Sequence, residues 1–375
     1  MRRRRRGKSL GFGRKAMLYI NIAFVVLMLL SYLSSVANPT HVWPLAFFGL
    51  AYPFLLFVHV LFIAFWILSR PVFALISLTT ILIGWKFLTL TIGFRESQAI
   101  EVPKSSTDMI RIMTWNVHEF KAFGAKADKP VRDQMLEIIR DEQPDILCMQ
   151  EYYSKRRGES NMKKMIKEIM TAEHYHVRED FGNPWELKGM VIFSKIPFTD
   201  TGSVVFPGSS GSNEAIYADF EYDKKKFRVY NVHLQSINFK PEDYKYIKTI
   251  KEEINTDVKS SKRIGSRLKR AFIKRSEQVN FLSEHIKSYS GPVIIAGDFN
   301  DTPASFAVNK LSSGMRNTFR EKGSGFGITY NGEFPNFQID YILASRDFEV
   351  KSYLTVNKKL SDHYPVRSDL EFRTP

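Results

Sequence analysis

The chain has a single cysteine, Cys148, among 375 residues. One thiol excludes an intramolecular disulfide framework and a cysteine-built zinc site. In "DILCMQE", Cys148 reads as a small apolar residue on a buried strand. The lack of disulfides leaves the compartment open, since a large domain is stable without them. Acidic residues are in deficit too, 39 against 54 Lys and Arg, and the formal net charge of +15 points to an anionic partner or surface. No internal repeat is visible. The length exceeds one ordinary domain and falls short of three large ones.

Charge nearly vanishes over three early stretches: about Met17 to Val36, Leu45 to Leu68 and Val72 to Ile92. Each has roughly the 20 residues that cross a bilayer as a helix, so three transmembrane helices are expected. Three buried helices of a soluble domain are the alternative, which length and lack of charge disfavour. A cleaved signal peptide at the first stretch would still leave the other two in the membrane. The connection "SSVANPTHVWP" has no Lys or Arg, while "MRRRRRGKSLGFGRK" precedes the first span and Arg70 lies in the second connection. Basic residues stay cytoplasmic, so three crossings put everything after Gly93 outside. The opening Arg run also suits anionic headgroups. Lys86 reads as snorkelling toward the outer interface rather than lining a cavity. Residues 1–94 are thus the membrane region, 95–108 a polar linker and 109–375 a globular domain.

In that domain "MIRIMTWNV" alternates like a half-buried strand. Short apolar runs recur at "GMVIFS", "AIYADFEY", "KFRVYNVHL", "PVIIAGDFN", "QIDYILAS" and "PVRSDLEF". A helix and a turn precede the strand of "DILCMQE", and further helices are expected at about Asn161 to Ala172, Arg275 to Tyr289 and Pro303 to Leu311. Many strands with few helices predict an α+β sandwich of packed sheets flanked by helices.

Polar residues gather at the strand ends: Asn116, Glu151, His233, Asp298 with Asn300, Asp340, and Asp362 with His363. Singly, each reads as a turn former or a hydrogen-bonded core residue. Together they read as a site where a rigid scaffold passes to loops. Carboxylates, an amide and histidines without a usable thiol suit a hard cation such as Mg²⁺. Such an ion neutralises phosphate and supports attack by water, with His moving protons near neutral pH.

"TWNVHEF", "DILCMQE", "NVHL", "GDFND", "QIDYIL" and "SDHYPV", in this order, closely resemble the endonuclease/exonuclease/phosphatase superfamily, over about Met109 to Phe372. The resemblance implies a four-layer α/β sandwich and Mg²⁺- or Mn²⁺-dependent cleavage of a phosphoester. It implies Glu151 as the principal metal ligand, with Asn116 supporting metal or phosphate and Asp362 close to the metal. His363 would contact the scissile phosphate or activate water, oriented by Asp340; Asp298 and Asn300 would position the water and the phosphate. His233 would bond a phosphate oxygen or serve the leaving group, and the general base stays unassigned. Many members carry Arg where this chain has Gln338, which removes a charge near the site. The basic segment from about Ser236 to Phe272 reads as an insertion near the active-site rim. It would be a solvated face, a membrane contact or a nucleic-acid contact.

The expected function is therefore a membrane-anchored, metal-dependent phosphodiester hydrolase. A nuclease-like substrate is placed slightly ahead of a phospholipid, sphingomyelinase-like one or a phosphatase. A catalytically silent membrane scaffold on the same fold is the reading from another class.

Overall fold

The computed structural model describes residues 10–95, 104, 108–121, 129–208, 213–253 and 257–373. The C-terminal region builds two mixed sheets. One runs in the order Phe348–Val350, Val366–Phe372, Met109–Asn116, Ile146–Lys155, Glu186–Ser194, His174–Gly182, with Leu354–Thr355 also pairing Val366–Phe372. The other runs Arg316–Asn317, Asp340–Ala344, Val293–Asp298, Lys225–His233, Ala215–Tyr222, Phe198–Val204. Each sheet has one parallel pair: Met109–Asn116 with Ile146–Lys155, and Lys225–His233 with Val293–Asp298. Parallel pairing brings the carboxyl ends of paired strands to the same edge, where binding groups collect.

Period-two alternation divides each strand between two cores. Ile112, Cys148 and Ile192 of one sheet pack with Ile216, Val229 and Ile294 of the other. The alternate positions Met113, Leu147 and Val191 pack with Met135, Ile139 and Ile166 of helices Lys129–Glu142 and Met162–Met170. Likewise Tyr230, Ile295 and Leu343 pack with Val279, Leu282 and Val308 of helices Val258–Lys287 and Phe306–Leu311. This is the expected four-layer α+β sandwich, with Cys148 fully buried between the sheets.

Met109–Asn116 corrects the half-buried expectation, because all eight of its residues are buried. Both faces are covered, and its polar member Arg111 is matched internally. The guanidinium donates to both oxygens of buried Asp369 at 2.7 and 2.9 Å and to the Glu142 carbonyl at 3.0 Å. The two longest strands that were not anticipated are His174–Gly182 and Phe198–Val204. They are sheet edges, where polar side chains are tolerated and the apolar signal fades. The basic segment folds as helix Pro241–Glu253 and the first part of Val258–Lys287, so the helix expected from Arg275 already begins at Val258.

At the N-terminus, Phe12–Ser34 and Tyr52–Ser69 are long and apolar enough to cross a membrane. The second expected span is divided: Pro44–Leu50 is a separate short helix, and Pro53 sits in the first turn of Tyr52–Ser69, where its missing N–H costs nothing. The third is not one straight helix either, since Pro71–Ile83 and Trp85–Thr91 meet at Gly84 with a bend of 73°. Four buried polar side chains of these helices are joined in one network. Asn21 Nδ2 donates to Ser77 Oγ (2.8 Å), which also meets His59 Nδ1 (3.0 Å), and Trp66 Nε1 donates to Asn21 Oδ1 (3.0 Å).

Most of the expected linker, 95–108, lies outside the described residues. Around it the two regions touch directly. Ile92–Phe94 pairs antiparallel with Ser324–Phe326, Ser34 Oγ donates to the Ala304 carbonyl (2.8 Å) and Arg320 Nε donates to Thr89 Oγ1 (3.1 Å). Lys86 extends from the apolar region to the side chain of Asn309. Gly49 permits part of this approach, because a Cβ there would lie 2.3 Å from Ser34 Oγ and 3.1 Å from the Ala304 carbonyl oxygen.

Replacing Asp369 by Ala leaves Arg111 as a buried charge without its carboxylate. The substitution should lower stability by about 3–5 kcal/mol, read from the thermal midpoint of the full chain in detergent; an unchanged midpoint would show that the pair contributes nothing.

Candidate active site

The site is built outward from the tip of strand Val293–Asp298. Gly297 has φ of +148°, and a Cβ there would lie 2.0 Å from the carbonyl oxygen of Val232 on the parallel neighbour. Only glycine lets the two backbones approach so closely in this conformation. The register then sets His233 opposite Asp298 on one side and Asp340 opposite Asp298 on the other. Three polar groups thus form one row at the end of the sheet.

Asp298 is fully buried and takes hydrogen bonds from the Asn300 backbone N–H (2.8 Å), Asn300 Nδ2 (3.2 Å) and Asn116 Nδ2 (3.2 Å). His233 Nε2 and His363 Nε2 each lie 3.7 Å from its Oδ2. Burial lifts the Asp298 carboxyl to about 6, helped by Asp340 and resisted by His363 and His233. Asn300 adopts a left-handed φ of +51° to fold its side chain back on the strand tip.

The facing sheet supplies Asn116 and Glu151. Ile146–Lys155 breaks register between Met149 and Tyr152, and Glu151 has φ of +50°. Such a bulge re-aims a side chain that regular alternation would place elsewhere. Glu151 accepts from Asn116 Nδ2 (3.0 Å), with His118 Nδ1 at 3.4 Å and His233 Nε2 at 3.8 Å. Desolvation would raise its carboxyl, but the His118 hydrogen bond, His233 and Asn116 prevail and hold it at about 2. Asp362 approaches the same His118 nitrogen at 3.8 Å.

His363 is pinned from several sides. Its Nδ1 lies 3.0 and 3.1 Å from the two oxygens of buried Asp340, and its carbonyl accepts from Trp115 Nε1 (3.0 Å). The Tyr330 ring meets the imidazole edge to face at 5.4 Å. Burial opposes the imidazolium, but Asp340, Asp298 and Asp362 outweigh it and raise the His363 pKa well above its ordinary value.

All eight residues expected at the site come together. Glu151, Asp298, Asn300, Asp362 and His363 line a cavity of about 360 Å³. Asn116, His233 and Asp340 stand behind them in contact. Glu151 and Asp362 offer carboxylate oxygens without thiol, donors that fit a hard divalent cation, whereas Asn116 turns its amide nitrogen toward Glu151 and its Oδ1 accepts from the His118 backbone N–H (3.1 Å). Ligand atoms of Asp298, Asp340 and His363 also lie within 4.8 Å of one another, although Asp340 there already holds His363 Nδ1.

Sequence reasoning missed His118, Tyr330 and Arg275, all of which line the cavity. His118 lies two residues past Asn116, so its motif carried that signal; Tyr330 and Arg275 had none. Arg275 Nε lies 3.0 Å from Asp301, and its Nη1 donates to the carbonyls of Asn300 (2.6 Å) and Gln235 (3.2 Å). Gln338 is buried but outside the lining, so the charge absent there is not replaced from that position. The basic segment reaches the rim as expected, through Tyr244, Leu268 and Phe272.

Because Asp340 is the largest influence raising the His363 pKa, Asp340→Asn should lower it. The nitrogen chemical shifts of that imidazole, followed across pH, should show loss of the proton at a lower pH than in the parent; an unmoved titration would contradict the pairing.

Comparison with known proteins identifies the family. Residues 113–363 match the Endonuclease/Exonuclease/phosphatase family, and residues 14–91 match a domain family of unknown function, DUF8431. No curated protein matches the chain. Among solved structures, an endonuclease/exonuclease/phosphatase from Beutenbergia cavernae is similar with 19% identity and a TM-score of 0.51, covering 71% of this chain and 72% of its own. The human Nocturnin catalytic domain with bound sulfate is similar with 18% identity and a TM-score of 0.51, covering 72% of this chain and 95% of its own. At such identities the likeness shows the fold. The family match spans most of the chain, and the chain belongs to the Endonuclease/Exonuclease/phosphatase family of metal-dependent phosphoester hydrolases.

Proposed function

We propose that the chain is a membrane-anchored, Mg²⁺-dependent hydrolase of a phosphodiester, with its catalytic domain outside the cytoplasm. The observation that carries the reading is the meeting of the His363–Asp340 pair with the Asn116–Glu151–Asp298 cluster at one cavity. Glu151 and Asp362 would hold the cation, with Asn116 steadying Glu151, and the cation when bound neutralises a phosphate oxygen. The chain's own groups do the rest. Asp298 and Asn300 position a water, and Asp298 takes its proton as the water oxygen bonds to phosphorus. His363, kept protonated by Asp340, donates to a phosphate oxygen as negative charge grows. His233, buried behind the lining 3.7 Å from Asp298, steadies that carboxylate, and the leaving oxygen takes a proton from water as its bond to phosphorus breaks. A silent scaffold has no need of this complete set.

The membrane reading is supported by the two long apolar helices. The orientation rests on charge: Arg14 and Arg70 lie near the ends of the helices remote from Ser34 and Thr89, which bond the catalytic region. A reporter fused after Pro375 should be active only outside the cytoplasm; activity confined to the cytoplasm would overturn the orientation.

The direct test is hydrolysis by the full chain of bis(4-nitrophenyl) phosphate, DNA, RNA and phospholipid vesicles with Mg²⁺. His363→Ala should cost about 10²–10⁴-fold in rate, and EDTA should abolish turnover until Mg²⁺ is restored. Full activity in the variant would refute the assignment. The pH profile has a defined sign. Asp298 works as the carboxylate, so kcat/KM should fall as pH drops through about 6, where that carboxyl takes up its proton. A rate that rises on acidification would exclude Asp298 as the base.

A further inference from the structure

The cavity joins two chemistries. Beside Glu151, Asp298 and His363 it is lined by Leu50, Phe239, Leu268, Phe272, Phe334 and Phe337. Of these, Leu50 belongs to Pro44–Leu50, the short helix between the two long apolar helices. The membrane region therefore supplies part of the active-site wall.

The apolar wall continues past the edge of the catalytic domain. Phe337 meets Phe54, in the first turn of Tyr52–Ser69, edge to face at 6.2 Å, and Phe272 meets Phe47 at 5.2 Å. Phe334 links Phe337 (5.9 Å) to Phe239 (5.3 Å). Phe54 is nevertheless 55% exposed, on one helical face with Phe57 (62%) and Leu61 (52%). A stripe of this kind faces lipid in a membrane-crossing helix, and here it leads from the bilayer to the cavity. Lys269 lies over the Trp43 ring at 4.5 Å, which puts a cation beside an aromatic of the interfacial kind, where anionic headgroups lie.

We propose, resting on the phosphoester-hydrolase reading, that the substrate is a membrane amphiphile, a phospholipid-type phosphodiester entering sideways from the bilayer. Its apolar part follows Phe54 and Phe337 to the wall of Leu50 and Phe272, while its phosphate reaches Glu151 and His363. Polynucleotide fits less well. Among the described lining residues the one Arg or Lys is Arg275, and it is committed to Asp301 and two backbone carbonyls, leaving no cationic track inside the cavity.

The test uses the full chain in nanodiscs. Turnover of phosphodiesters with one headgroup and lengthening acyl chains is compared with that of the deacylated diester and of DNA. The proposal expects kcat/KM to climb with chain length and to exceed that for DNA. Replacing Leu50 or Phe337 by Ser should lower the ratio of long-chain to deacylated turnover about tenfold, the loss expected on removing one buried apolar side chain from the contact. A ratio unchanged in both variants, a flat chain-length series or faster turnover of DNA would overturn the amphiphile. No metal-dependent turnover of any diester, bis(4-nitrophenyl) phosphate included, would instead overturn the hydrolase reading beneath it.

Discussion

The buried carboxylate of Asp298 is the contact on which the site depends. An unpaired charge in this position would be costly, and the fold meets the cost from three directions. Asn300 supplies two N–H donors from the loop that follows, Asn116 donates across from the facing sheet, and two imidazoles stand at 3.7 Å. Each partner is held by something else: Asn116 by Glu151, His363 by Asp340, the Asn300 carbonyl by Arg275. Moving Asp298 would unsettle the cluster as a unit, which is why the close approach at Gly297 matters.

A second constraint joins the N-terminal apolar helices to this cluster. The short helix Pro44–Leu50 and the start of Tyr52–Ser69 press against the domain, and Gly49 and Ser34 make the close contact with Ala304, which follows the "GDFNDTP" loop. The loop that carries Asn300 and Asp301 thus leads directly to a residue packed on the apolar helices. The apolar helices and the active site share one packed surface, and aromatic contacts from Phe54 and Phe47 run along it to the cavity.

Much of the site was legible before any coordinates. Acids, amides and histidines that end apolar runs stand out because burying them without partners is costly, and Asn116, Glu151, His233, Asp298, Asn300, Asp340, Asp362 and His363 were all found that way. The edge strands His174–Gly182 and Phe198–Val204 were not legible, since an edge can stay polar. Arg111 misled in the opposite sense. The alternation of "MIRIMTWNV" around it read as a half-buried strand, whereas Asp369, distant in sequence, makes its burial tolerable. Tyr330 and Arg275 acquire their places only through neighbours from other segments.

The apolar runs, their terminal polar residues and the order of six short motifs were sufficient for the sandwich, the phosphoester chemistry and the set of polar residues that meet at the cavity, because those features are local and repeat along one strand at a time. Three things waited for the tertiary structure. The bulge at Glu151 and the register at Asp298 depend on pairing between strands. The division of the second apolar stretch and the bend of the third depend on how helices pack, which length and hydropathy do not encode. The entry of Leu50 into the active-site wall joins residues from opposite ends of the chain, and only packing in three dimensions brings them together.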